Sequence, residues 1–183
     1  EGIARLRDHV DTVIVIPNDR LLTMNTQGEQ TFTWEDALKM ADSVLQQAIQ
    51  AIAEVVTVPG EINVDFADVK TILSNAGPAW LAIGKGRGEN RAVEAAIMAT
   101  KSPLLDIAMD GAKRILFVVS GGPTLSLKEV QEAANVIQEM ADPDANIIFG
   151  VVIDPDMAGQ VKITVIATGF DREGAEPATE RAT

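Results

Sequence analysis

Three features of this sequence predict an α/β layer fold, with a long helix followed by a domain of four mixed strands and packed helices. The first is an apolar 3.6-residue period that runs from Trp34 to Val56 and is broken at Pro59-Gly60. The second is a set of four short apolar runs after that helix, at Trp80–Ile83, Ile115–Val119, Asn146–Ile153 and Val161–Thr168. The third is that helical patterns alternate with those runs, an order that lays helices against a single sheet.

The elements follow in order. Gly2 to Val10 reads as the end of a helix. Thr12 to Ile16 is an uninterrupted apolar run closed by Pro17, the pattern of a strand buried on both faces. Met24 to Thr31 is polar, contains Gly28 and reads as a loop. Thr33 is a suitable N-cap for the long helix, with Asp36 three residues on as a loose capping-box partner. The apolar positions of that helix run through Ala37, Leu38, Ala41, Val44, Leu45, Ala48, Ile49, Ile52, Val55 and Val56. At ~1.5 Å per residue it is roughly 35 Å long, enough to cross a small domain. A short helix runs from Asp65 to about Asn75. The Trp80 strand is ended by Gly84-Lys85-Gly86-Arg87-Gly88, and Glu89 to Thr100 is helical with Ala92, Val93, Ala96 and Ile97 on one face. Ser126 to Met140 is a helix capped by Ser126, with Glu129 as its box partner. The last two strands are joined through Asp154-Pro155-Asp156 and Gly159, a hairpin-length turn that predicts mixed strand direction.

Composition narrows the function classes. A chain of 183 residues holds one good core, or one core and an appendage. A formal charge of −12 argues against nucleic acid and anionic membrane surfaces as partners. There are no cysteines, so no disulfide frame or thiolate metal site is possible, and the composition suits a reducing cytoplasm. No apolar stretch approaches the ~18–20 residues that span a bilayer, so direct membrane insertion is not expected. From Arg172 the sequence loses apolar periodicity and reads as the start of a disordered linker.

The densest chemistry lies in Asn63-Val64-Asp65-Phe66-Ala67-Asp68, one amide and two carboxylates directly after the Pro59-Gly60 break. Asp65 and Asp68 are three apart and share one face of a helix's first turn. The positive end of the helix dipole stabilises each carboxylate there by roughly 0.3–1 kcal/mol. Such a pair suits polarising a water or holding a cation. The plain structural alternative makes Asp65 an N-cap and Asp68 a solvated acid, and pattern alone leaves both readings open. Asn18 stands after a buried strand and Pro17, where a turn-forming Asn is also at home. Asp42 on the long helix has an ordinary solvated-acid reading. The glycine-rich run at Gly84 offers a phosphate cradle or a flexible connection; Glu89 at the following helix start favours the connection, since it repels an anion. His9 is the only histidine, so no histidine relay can form and no metal site is expected.

Gly60-Glu61-Ile62-Asn63-Val64-Asp65-Phe66-Ala67-Asp68-Val69-Lys70 closely resembles the synergy loop of FtsZ, the tubulin-like GTPase of bacterial cell division. Further stretches resemble the same family in the same order. They are His9 to Leu22, Gly86 to Ala92, Ser102 to Leu105, Asn146 to Gly150 and Val165 to Phe170. The resemblance covers about Gly2 to Asp171.

The resemblance implies a C-terminal half. On it, residues 1–33 are the end of a nucleotide-binding domain, 34–59 a central spine helix, 60–171 a C-terminal α/β domain with the synergy loop, and 172–183 the start of a linker. The glycine-rich phosphate loop that opens such proteins, Gly-Gly-Gly-Thr-Gly-Thr-Gly, does not occur here. The implied function is polymerisation head to tail into the division ring at mid-cell. Asp65 and Asp68 would activate the water that attacks GTP bound by the adjacent subunit, with Asn63 positioning it. Asn18 and Asp42 would contact the guanine edge, with Leu38 where the family usually has a Phe stacked on the base. The full-length protein would use GTP/GDP and Mg2+, whereas none is expected on this chain alone. Implied partners are the chain itself, the N-terminal GTP-binding domain and cell-division regulators. Ala48 and Ala51 stand where the family commonly has Gly, which implies a narrower cleft beside the spine helix and poor binding of cleft-directed inhibitors. An alternative is a non-enzymatic interaction module that caps a filament end. A free-standing small-molecule-binding domain is disfavoured, because it leaves the first strand exposed.

Overall fold

Thr33 and Asp36 fix where the long helix begins. Thr33 N donates to Asp36 Oδ2 at 3.0 Å, and Asp36 N donates to Thr33 Oγ1 at 3.2 Å, a reciprocal box closed by Asp where Glu is usual. The Thr33 hydroxyl also donates to Asp36 Oδ2 at 2.5 Å, and this bond, ahead of the one from Thr33 N, holds the Asp36 carboxyl below its ordinary range. The computed structural model describes residues 2–15, 33–57, 66–101 and 112–170.

The helices are α1 (Gly2–Arg7), α2 (Trp34–Thr57), α3 (Phe66–Leu73), α4 (Arg91–Thr100) and α5 (Leu127–Met140). The strands are β1 (Thr12–Ile14), β2 (Gly77–Arg87), β3 (Arg114–Gly121), β4 (Asn146–Ile153) and β5 (Gln160–Thr168). They form one sheet in the order β1-β2-β5-β3-β4. β1 is parallel to β2 and β3 to β4, while β5 runs antiparallel to both β2 and β3.

The four strands expected after the long helix are all present, and the early run at Thr12 adds a fifth at the sheet edge. Mixed direction holds as well, but not through a hairpin. β4 and β5 are antiparallel, yet β3 lies between them, so the Asp154–Gly159 connection steps over one strand. The reason is burial. Every position of β5 from Ile163 to Thr168 is buried, which an edge place would expose.

Side chains alternate across the sheet with the period of two that strands impose. Ile115, Phe117 and Val119 of β3, with Ile163, Val165 and Ala167 of β5, face α4 and α5. Phe117 and Phe149 stack there with centroids 5.3 Å apart. Leu116, Val118 and Ile166 face the other way, onto Val69 and Ile72 of α3 and Ala41 and Ile52 of α2. The described residues are therefore three layers deep.

The glycine-rich run is neither a phosphate cradle nor a flexible connection. β2 continues through it to Arg87, paired with β5 as far as Gln160. A Cβ at Gly84 would stand 1.9 Å from the Ala95 carbonyl oxygen, and one at Gly86 1.9 Å from that of Arg91. Glycine on the strand and alanine on the helix let α4 lie against the sheet by its backbone. The buried stripe of α4 is accordingly Ala92, Ala95, Ala96 and Ala99, while Ile97, expected on the inner face, is exposed.

Candidate functional site

α3 is a helix of two turns whose first carries Asp68, half-buried, and whose apolar face sinks Val69 and Ile72 into the sheet. Burial of two aliphatic side chains holds the helix down, but that force has no direction and leaves rotation and sliding cheap. Directional bonds at the other end of the helix remove that freedom.

The last carbonyls of a helix have no partner within it. Here three strands supply them. Thr12 Oγ1 of β1 donates to the Leu73 carbonyl. Thr168 Oγ1 of β5, fully buried, donates to the Ile72 carbonyl at 3.3 Å. Arg114 Nη1 of β3 donates to the Ser74 carbonyl at 3.1 Å and reaches that of Thr71 at 3.4 Å. A guanidinium at this end is also favoured by the negative pole of the helix dipole. The exit is fixed in turn: Asn75 takes φ +50, its N–H donates to Asp11 Oδ1 at 3.3 Å, and Gly77 N donates to the Asp11 carbonyl at 2.8 Å. An αL residue just past a helix is a common stop, and Asn tolerates it better than most.

Of the other residues expected at the site, Asn63, Asp65 and Asn18 lie outside the described residues. Leu38 and Asp42 are both exposed on α2, one turn apart, with Leu38 51% exposed. Leu45 and Ile49 continue that outward apolar stripe. The side chains at Ala48 and Ala51 lie outside the described residues. On another face of α2, Ser43, Gln46, Gln47 and Gln50 border a polar groove shared with Asp154 and Gln160.

Among the described residues no group of three His, Cys, Asp or Glu side chains could hold a metal ion. Among them, too, no helix is long and apolar enough to cross a membrane. The half-buried Asp68 on its anchored helix and the exposed Leu38–Asp42 pair are thus the parts of the expected site that can be placed.

The sequence model of the FtsZ family, C-terminal domain, matches residues 77–171. The chain belongs to the FtsZ family. An FtsZ dimer from M. jannaschii superposes with a TM-score of 0.85 at 40% identity, over 92% of this chain and 48% of that one. A point mutant of the same M. jannaschii FtsZ gives the same TM-score of 0.85 and 40% identity, over 92% of this chain and 50% of that one. CetZ2 from Haloferax volcanii, solved as a GTPγS-bound protofilament, superposes with a TM-score of 0.69 at 20% identity. That likeness, over 93% of this chain and 50% of CetZ2, is one of fold. The chain spans about half the length of the solved FtsZ structures it matches.

Two features of the FtsZ C-terminal half escaped sequence reasoning. One is the anchoring of α3 by Thr12, Arg114 and Thr168; a threonine at the end of an apolar strand is the trace it leaves. The other is the buried Arg91, which bridges α4 and α5.

Proposed function

We propose that this chain is the C-terminal part of an FtsZ-like GTPase that polymerises head to tail into the division ring. In this reading it supplies the loop that activates water for hydrolysis of GTP held by the adjacent subunit. The observation that carries the reading is Asp68, in a sequence that resembles the synergy loop, presented from the first turn of a helix anchored to the sheet. A carboxylate there orients and activates water, but it repels a triphosphate, so Mg2+ on the nucleotide must screen the approach.

Asp65 shares the water-activating role, and Asn63 has a positioning role. Asn18 and Asp42 read the guanine edge and Leu38 packs against the base. GTP or GDP and Mg2+ belong to the site completed by the GTP-binding domain. Hydrolysis then depends on stacking two subunits, because the acids and the phosphates meet only across an interface. Regulators of division are further partners, and mid-cell is the place of action.

The test is turnover by a polypeptide that carries this chain behind a GTP-binding domain of the family. Asp68→Ala, and Asp65→Ala with it, lowers turnover by roughly 100-fold or more while filaments still form. Turnover equal to the parent's sinks the proposal.

The exposed Leu38, Leu45 and Ile49 favour a second reading, an interaction module that docks on a filament end and stops growth. Mixing the 183-residue chain with intact FtsZ separates the two. Loss of polymer at substoichiometric amounts supports capping, and unchanged polymer excludes it.

A further inference from the structure

Asp68 lies near one end of α3, and the bonds from Thr12, Arg114 and Thr168 that tie α3 to the sheet lie at the other. Leu73 is five positions on from Asp68, about 7.5 Å along a helix axis. Over that distance two turns of helix act as a rigid lever, so the place of the last carbonyls fixes the place of the first turn. Two anchors matter most. Thr168 comes from β5, the strand at the middle of the sheet, and is fully buried. Arg114 comes from the adjoining β3 and grips two carbonyls at once. Their bonds run across the helix end from different strands, so together they oppose both sliding and rotation.

We propose that Thr168 and Arg114 are positioning residues for GTP hydrolysis: they hold the C-terminal carbonyls of α3 to the sheet and so set where Asp68 of its first turn stands. The proposal rests on the reading of Asp68 as a water-activating acid. Neither residue touches the nucleotide. Each acts through α3, and its loss lets the first turn shift without removing Asp68.

The experiment measures turnover per assembled subunit, polymer mass and GTP affinity in a polypeptide that carries this chain behind a GTP-binding domain. Thr168→Val keeps the shape and removes the donor; it is expected to lower turnover ~10-fold, with polymer mass and GTP affinity unchanged. Thr168→Ser restores the donor and is expected to recover turnover to within about twofold of the parent. Should Thr168→Val fail to fold, Arg114→Met carries the test, since Arg114 is only half-buried, and its turnover is expected to fall several-fold at unchanged polymer mass. Parent-like turnover in the folded variants overturns the proposal, and so does a Ser variant as slow as the Val variant. Asp68→Ala separates the two levels of the argument. If it turns over normally, the water-activation reading fails and takes the positioning proposal with it. If it is inactive while Thr168→Val and Arg114→Met match the parent, the positioning proposal alone fails.

Discussion

Arg91 on α4 and Glu129 on α5 form a two-point ion pair: Nε donates to Oε1 at 2.7 Å and Nη2 to Oε2 at 3.3 Å. Glu129 Oε2 also accepts from Ser126 N at 2.8 Å, so one carboxylate both caps α5 and ties it to α4. The Arg91 hydrogen bond, ahead of those from Ser126, holds the Glu129 carboxyl at about 2, from an ordinary 4.5.

Replacing Glu129 by alanine strands a guanidinium that is only 7% exposed. The expected loss is about 2–4 kcal/mol, read from denaturant midpoints. The pH dependence has a definite sign. Glu129 has a folded pKa below its unfolded value, so its contribution is complete above 4.5 and lost as the pH falls toward about 2. The stability gap between the parent and Glu129→Gln is therefore expected to close across that window. A gap that stays constant on acidification refutes the assignment.

Gly84→Ala forces a methyl group into the Ala95 carbonyl and must push α4 off the sheet, at an expected cost of ~2–3 kcal/mol. Gly88→Ala is the matched control. Nothing lies within 4 Å of its Cβ, and only the φ of +86 opposes it, by roughly 1–2 kcal/mol. Thermal unfolding orders the pair. A Gly84 variant more stable than the Gly88 variant would show that the close approach of α4 is not what requires glycine.

Ile3, Leu6 and Val10 near the start of the chain, and Leu38, Leu45 and Ile49 on α2, are large, apolar and exposed. β1 also stands at the sheet edge, where an apolar strand invites pairing. The isolated chain is expected to self-associate in sedimentation experiments, and Leu45→Glu with Ile49→Lys to shift it toward monomer. A parent chain that stays monomeric at high concentration contradicts this.

Leu38→Phe tests the proposed base contact. Stacking on a base is worth ~1–3 kcal/mol, so GDP affinity is expected to rise by roughly tenfold in a polypeptide with a GTP-binding domain. Unchanged affinity removes Leu38 from the base site.

Local chemistry was the legible part of this sequence. Both capping boxes, Thr33–Asp36 and Ser126–Glu129, were readable because a cap is set by residues three apart. The strands were readable to within a few residues for the same local reason. Strand order was not, because nothing in the Asp154–Gly159 turn states that β3 passes between the strands it joins. The glycines at 84 and 86 misled because their cause lies on another element, the backbone of α4. The same holds at the candidate site. The acids were visible as a cluster, whereas the anchoring bonds from Thr12, Arg114 and Thr168 span between 40 and 96 residues of chain.

Among the described residues, β5 alone joins the β1–β2 pair to the β3–β4 pair, and it is the last strand in chain order. During synthesis the four earlier strands leave the ribosome as two separate ribbons. They can merge only when residues 160–168 have cleared the exit tunnel. The joining of the two pairs thus waits for residues 160–168, and a nascent polypeptide stalled before Gln160 holds two half-sheets with their apolar flanks open to chaperones.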